Sequence, residues 1–344
     1  MQSKIFSMKN WEGKHGVYLI AEIGGNHEGD FGKAKELTEL ACKSGVDAVK
    51  LQIYTADSLV SKAQDPERHA HFKKFELTPV QHIALADICQ SNKVTYAASV
   101  WDMNALEWID PYIEFYKIGS GDLTAYPILE RIAKIGKPLI MSTGLATLDE
   151  VRGSVEFVRS INSCYRKSDY LVLLQCTSSY PSPESDVNLR VMTTLKDEFH
   201  VRVGYSDHTT DSFAAEVAVS MGAEILELHF TDNKERPSFR DHQISFTVGR
   251  IRDLIDRINR IKQLHGSSDK TPSESEIKFG HVDSFRRGVY AARDLESGYV
   301  LTESDLHFLR PNVSPTTTLW KDIIGKRLKK PVARLHKIEA DILV

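Results

Sequence analysis

The 344-residue chain carries 44 basic and 47 acidic side chains and a formal net charge of -3, interspersed along its length, which excludes the basic footprint of a nucleic-acid or anionic-membrane binder. No apolar run approaches the ~18 residues of a membrane helix, and MQSKIFSMKNWEGKHG lacks an apolar export core, so a soluble cytoplasmic protein is expected. Four well-separated cysteines (42, 89, 164 and 176) without C-x-x-C spacing argue for reduced thiols and against a disulfide frame or thiolate zinc site.

Eight strand-like runs alternate with amphipathic helical stretches: residues 17–24, 47–53, 94–99, 114–120, 138–143, 170–177, 201–206 and 224–230. Eight βα repeats predict a closed (β/α)8 TIM barrel over residues 1–265, of the α/β class. Successive side chains of a strand point to opposite faces, so the polar members of each run share one side. In the first, LIAEIG sets Glu22 opposite Ala21 and Ile23. The turn that follows, GGNHEGD (24–30), fits neither a Walker loop nor G-x-G-x-x-G, and Asn26 and His27 are candidate mouth residues. In DAVKLQI, Lys50 and Gln52 share the face opposite Val49, Leu51 and Ile53.

KIGSGD (117–122) combines Lys117 with glycines flanking Ser120, whose amides can approach an anion. Ser142 and Ser206 end their own strands; with Lys50 and Lys117 they describe a site for a small, doubly charged anion. GYSDHTTD and LELHF set His208 and His229 near the ends of successive strands, where imidazoles beside Glu22 or Asp207 suit a divalent cation with open positions. In EILELHF, Glu227 shares the inward face with His229. The periodicity then stops: residues 266–284 read as a linker and 285–344 as a small β-rich module.

The ordered set AEIGGNHEGD, VKLQ, YKIGSGD, MSTG, QCTSSYPSP, GYSDHT and LELHF resembles the sialic acid synthase family. The tail, FRRGVYAARDLESGYVLTESDLHFLRP with IIGKRLKKPVARLHKIEADI, resembles that family's antifreeze-like (SAF) domain. The resemblance implies condensation of phosphoenolpyruvate with an N-acetylmannosamine-type aldose, releasing phosphate by C–O cleavage. It also implies Mn2+ or Mg2+ on His208 and His229, and phosphoenolpyruvate on Lys50, Lys117, Ser120, Ser142 and Ser206. Gln52, Tyr180 and Asp241 then face the sugar. Arg287, or Arg286, completes that pocket from the tail of the other subunit in a domain-swapped homodimer. Asp122, with Glu22 behind it, becomes the carboxylate that handles protons.

Four features depart from the family pattern: Asp122 in place of Glu, the extra Arg240 before Asp241, SVWDMN (99–104) in place of a Pro-Phe segment, and LRPNVSP without glycines. These differences cluster on the sugar side. They keep legionaminic and pseudaminic acid precursors, and phosphorylated N-acetylmannosamine, beside N-acetylmannosamine as acceptors. The neighbouring alternatives are a metal-dependent pyruvate aldolase and a non-catalytic carbohydrate-binding protein.

Overall fold

A computed structural model describes residues 11–236, 238–312 and 317–344. The N-terminal decapeptide and the last three residues of LRPNVSP lie outside these. The chain divides into two compact units, Met1–Gly266 and Ser267–Val344.

In the first unit, β1 (Tyr18–Glu22), β2 (Ala48–Ile53), β3 (Thr95–Val100), β4 (Tyr116–Ile118), β5 (Leu139–Ser142), β6 (Leu171–Cys176), β7 (Arg202–Asp207) and β8 (Ile225–His229) close in sequence order into a parallel barrel. Residues Tyr18 to Glu22 pair with Ile225 to His229 to complete the ring. Local chemistry delimits the outer helices. Asp30 accepts from Lys33 N to start Phe31–Ser44, and Gly45, at φ 107°, ends it in a conformation that a side chain would strain. Capping boxes at Thr78/Gln81 and Thr147/Glu150 start two further helices. Their apolar faces pack on the outward residues of the strands, among them Leu19, Ala21, Val49, Leu51 and Met141.

Inside, alternation builds two floors. The lower is an apolar plug in which Tyr18, Ile20, Ala48, Phe115, Ile140 and Ile225 pack together, with Trp11 at the end where the strands begin. The Trp11 ring meets Tyr18 and Phe115 edge-on, and its N–H donates to Asp169 O at 2.8 Å. The lumen is closed from below, so a ligand must enter from the C-terminal ends of the strands.

The second unit has its own core, including Val289, Leu295, Leu301, Leu328 and Ile338. β9 (Gly288–Ala291) and β10 (Leu306–Leu309) form an antiparallel pair, and the other β contacts are isolated bridges such as Leu295↔Val332 and Val300↔Arg327. The expected linker is partly helical, at Glu274–Lys278 and His281–Ser284. Reciprocal capping between Ser273 and Glu276 starts the first of these, a signal that the missing apolar rhythm conceals. No helix among the described residues is long and apolar enough to cross a membrane.

Candidate active site

The upper floor of the lumen holds four buried ionisable groups. Lys50 Nζ lies 2.5 Å from Glu22 Oε2 and 3.6 Å from Glu227 Oε2, and Lys117 Nζ is 3.2 Å from Glu227 Oε1. Each of the four residues is no more than 5 % exposed. Two ammonium groups and two carboxylates balance one another, which is how such charges persist away from water. Burial raises the Glu227 carboxyl, but Lys117 and Lys50 outweigh it and hold the group at about 2. Burial lowers Lys50 too, yet Glu22 and Glu227 push its ammonium above the ordinary value. Lys117, with less carboxylate beside it, is lowered by burial. For Glu22, burial wins over Lys50 and the carboxyl is raised.

Hydroxyl groups surround this quartet. Ser206 donates to Glu227 at 2.9 Å and Lys50 donates to Ser99 Oγ at 3.3 Å. Ser120 Oγ accepts from Gly144 N at 3.1 Å; a side chain on Gly144 would fall 2.8 Å from that oxygen and 2.6 Å from Ser178 Oγ, so the approach requires glycine. Ser142 Oγ is buried without a hydrogen-bond partner among the described residues. An unmade buried hydrogen bond costs about 1–3 kcal/mol, and a ligand with acceptor oxygens is what would satisfy it. Gln52 donates to Glu22 Oε1 at 2.9 Å and thereby fixes that carboxylate from the mouth side.

Across the mouth, the rings of His208 and His229 lie 5.3 Å apart between centroids. His208 Nδ1–H donates to Thr177 O at 2.7 Å, which leaves Nε2 as the lone-pair nitrogen. His229 Nδ1 is buried and has no hydrogen-bond partner among the described residues, and Asp241 Oδ2 stands 3.7 Å from it. Burial holds His229 well below the ordinary imidazole range, hence neutral. His208 is driven down by burial but raised further by Cys176 and the Thr177 carbonyl, so a cation there would displace a proton. Among the described residues no three His, Cys, Asp or Glu side chains form a metal-binding group. The pair therefore fits a cation as a two-imidazole anchor whose remaining positions fall to water or substrate. Tyr180 covers it, 4.2 Å from His208, and the Arg240 guanidinium lies 4.8 Å over the Tyr180 ring.

Strand alternation thus brings Lys50, Lys117, Ser142, Ser206, Glu22 and Gln52 together, and the histidines meet Tyr180 and Asp241. Asp207 departs from the expectation: it shares the outward face with Tyr205 and accepts from Tyr205 OH and Thr209 N. Glu22 likewise ion-pairs with Lys50, and the carboxylate facing His229 is that of Asp241. Asn26 donates to Phe230 O and Ser245 Oγ, so it ties the first βα turn to the last. His27, held by burial at about 4, accepts from Gly29 N. Asp122 sits half-buried after β4, in the Ser120–Asp122 turn, with its carboxyl raised by burial against the pull of Lys117. Arg287 belongs to the second unit, where its Nη1 donates to Phe308 O at 2.6 Å. Sequence reasoning left Glu227 without a role, although the alternation that placed Lys50 inward also placed Glu227.

Residues 37–270 match the NeuB family model and residues 286–335 the SAF domain model. The chain belongs to the NeuB family. It is 37% identical to the N,N'-diacetyllegionaminic acid synthase of Legionella pneumophila over 326 residues, 90% of each chain. It is 31% identical to the N-acetylneuraminate-9-phosphate synthase of Drosophila melanogaster, across 91% of this chain and 92% of that protein. The crystal structure of N-acetylneuraminic acid synthetase from Leptospira borgpetersenii, in complex with citrate, superposes with a TM-score of 0.69 at 28% identity, covering 77% of this NeuB-family chain and 90% of that one.

Proposed function

We propose that the protein is a nonulosonic acid synthase that condenses phosphoenolpyruvate with an N-acylated amino aldose. The observation that carries this reading is the pair of buried ammonium groups, Lys50 and Lys117, beside the unpartnered hydroxyl of Ser142. Pyruvate has no phosphate to occupy such a cradle, whereas phosphoenolpyruvate brings a phosphate and a carboxylate. Lys50, Lys117, Ser120, Ser142 and Ser206 hold that anion, and Gln52, Tyr180 and Asp241 face the sugar. His208 and His229 hold Mn2+ or Mg2+, which when bound supplies Lewis-acid polarisation of the aldehyde.

In the reaction, C3 of the enol forms a bond to the aldehyde carbon, water adds at C2, and the C2–O bond to phosphate breaks. The lysines keep the departing phosphate in line and neutralise it. Asp122, at the mouth, takes the proton from the attacking water. Glu22, ion-paired with Lys50, has a raised carboxyl and is the group of the quartet best able to accept a proton when the substrate's negative charge arrives.

Purified protein with Mn2+, phosphoenolpyruvate and each candidate aldose tests this reading. The expected outcome is phosphate release with a product mass equal to the sum of the two substrates plus water minus phosphoric acid. Phosphoenolpyruvate labelled with 18O at the bridging position is expected to deliver its label to phosphate. No phosphate release with any candidate aldose, or turnover with pyruvate instead, sinks the proposal.

A further inference from the structure

Two of the four cysteines meet, although 47 residues separate them in the chain. Cys42 stands near the end of the helix Phe31–Ser44 and Cys89 near the end of the helix Pro79–Ser91, and their sulfurs lie 4.0 Å apart. Both belong to the apolar layer between the outer helices and the strands. The other two thiols have different neighbours: Cys164 Sγ lies 3.9 Å from Gly136 O, and Cys176 Sγ lies 3.8 Å from His208 Nδ1. Wide spacing in the sequence argues against a disulfide frame, but the packing of these two helices brings one pair of sulfurs into contact.

The two thiols are unequal. Cys42 keeps 9 % of its surface exposed, whereas Cys89 is fully buried. The hydrogen bond with Cys89 draws the Cys42 thiol below its ordinary range, and Lys14 and Lys43 pull the same way against burial. The same hydrogen bond, together with burial, pushes the Cys89 thiol far up. A thiolate with access to solvent is the sulfur that a small oxidant finds, and a thiol in contact with it is placed to resolve the product. We propose that Cys42 and Cys89 are a peroxide-sensitive pair whose oxidation to a disulfide staples the helix Phe31–Ser44 to the helix Pro79–Ser91. The Cys42 sulfur attacks hydrogen peroxide: an S–O bond forms as the O–O bond breaks, and the thiol proton leaves with hydroxide as water. The Cys89 sulfur then attacks Cys42 Sγ: the S–S bond forms as the S–O bond breaks, and the second proton leaves with hydroxide as water. The two thiols lose two electrons in all, and the peroxide gains them. The sulfurs close by about 2 Å to reach bonding distance, a movement that changes of χ1 and of helix position share. The loop so closed contains β2 with Lys50 and Gln52, and the bond removes conformational freedom from its unfolded state.

The test treats the full chain, folded and reduced, with hydrogen peroxide, then alkylates the remaining thiols and maps the peptides by mass. The expected result is a loss of two hydrogens that dithiothreitol reverses, and one linked peptide pair, Cys42 with Cys89. The urea midpoint of the oxidised wild type is expected to exceed that of the reduced protein, with no such rise in Cys42→Ser. In Cys89→Ser, which lacks the resolving thiol, dimedone is expected to trap a sulfenic acid on Cys42. No link, or a link through Cys164 or Cys176 instead, overturns the proposal. A Cys42–Cys89 link that leaves the midpoint unchanged or lowers it overturns the staple, and a dimedone adduct elsewhere with none on Cys42 overturns the order of attack. Should either variant fail to fold, the peptide map and the two midpoints of the wild type decide the matter.

Discussion

The two floors of the lumen are made by the same strands, about 7 Å apart along each, and obey opposite rules. Ile20 and Glu22 on β1, Ala48 and Lys50 on β2, Phe115 just before β4 and Lys117 on it, Ile140 and Ser142 on β5, and Ile225 and Glu227 on β8 are successive inward residues. Below, close packing stabilises the barrel through area removed from water. Above, charges are held in balance at a cost, and a hydroxyl has no partner among the described residues. A protein selected for stability alone would continue the apolar filling upward. The upper floor is therefore where ligand chemistry resides, and the lower floor is what holds it rigid.

The sharpest way to break this contrast is Lys117→Met. Replacing this buried ammonium by an apolar side chain of similar length leaves Glu227 with Lys50 alone, which costs about 3–5 kcal/mol; it also removes the phosphate contact proposed above and is expected to lower kcat/KM by about 10^3-fold or more. Initial rates of phosphate release together with urea unfolding give both readouts. Loss of stability without loss of rate would make the upper floor structural.

Glu227→Gln follows. It leaves Lys117 and part of Lys50 uncompensated, and breaking a buried pair from one side costs about 3–5 kcal/mol. The cost depends on pH with a definite sign. The Glu227 carboxyl is held at about 2 against an ordinary 4.5, so its contribution is complete above pH 4.5 and is lost as pH falls toward 2. Denaturant midpoints of wild type and variant are expected to differ at neutral pH and to converge in acid.

Much of this was legible in the sequence, and the failures have physical causes. Alternation located all eight strands, and the structure trims most of them by a residue or two. The run 114–120 shrinks most, to Tyr116–Ile118, because the turn at Ser120 begins the 3-10 segment that carries Asp122. The same alternation set Lys50, Lys117 and Glu227 inward, yet which carboxylate neutralises which ammonium depends on strand register, such as Ser206 beside Glu227, and register is not written in one strand. Asp207 was misplaced by its nearness to His208 in sequence, although period two turns adjacent residues apart.

Mn2+ titration sharpens the contrast from the metal side. A cation at 100 times its dissociation constant stabilises the folded state by about 2.7 kcal/mol if it binds only there. The expected result is a rise in the unfolding temperature of the wild type and none in the His208→Ala, His229→Ala double variant. An equal rise in both would place the cation elsewhere.

The smallest effect is the most diagnostic of the lower floor. Ile140 is fully buried in the plug, beside Val172 in register, one inward step below Ser142. Ile140→Val removes one methylene from this close-packed layer and is expected to cost about 1 kcal/mol, since the rigid barrel cannot collapse around the gap. Because nothing in the plug meets substrate, kcat/KM should stay within about twofold while the denaturant midpoint falls. If rate falls with stability, the plug tunes the position of Ser142, and the division between a floor that packs and a floor that reacts is less sharp than the alternation of residues suggests.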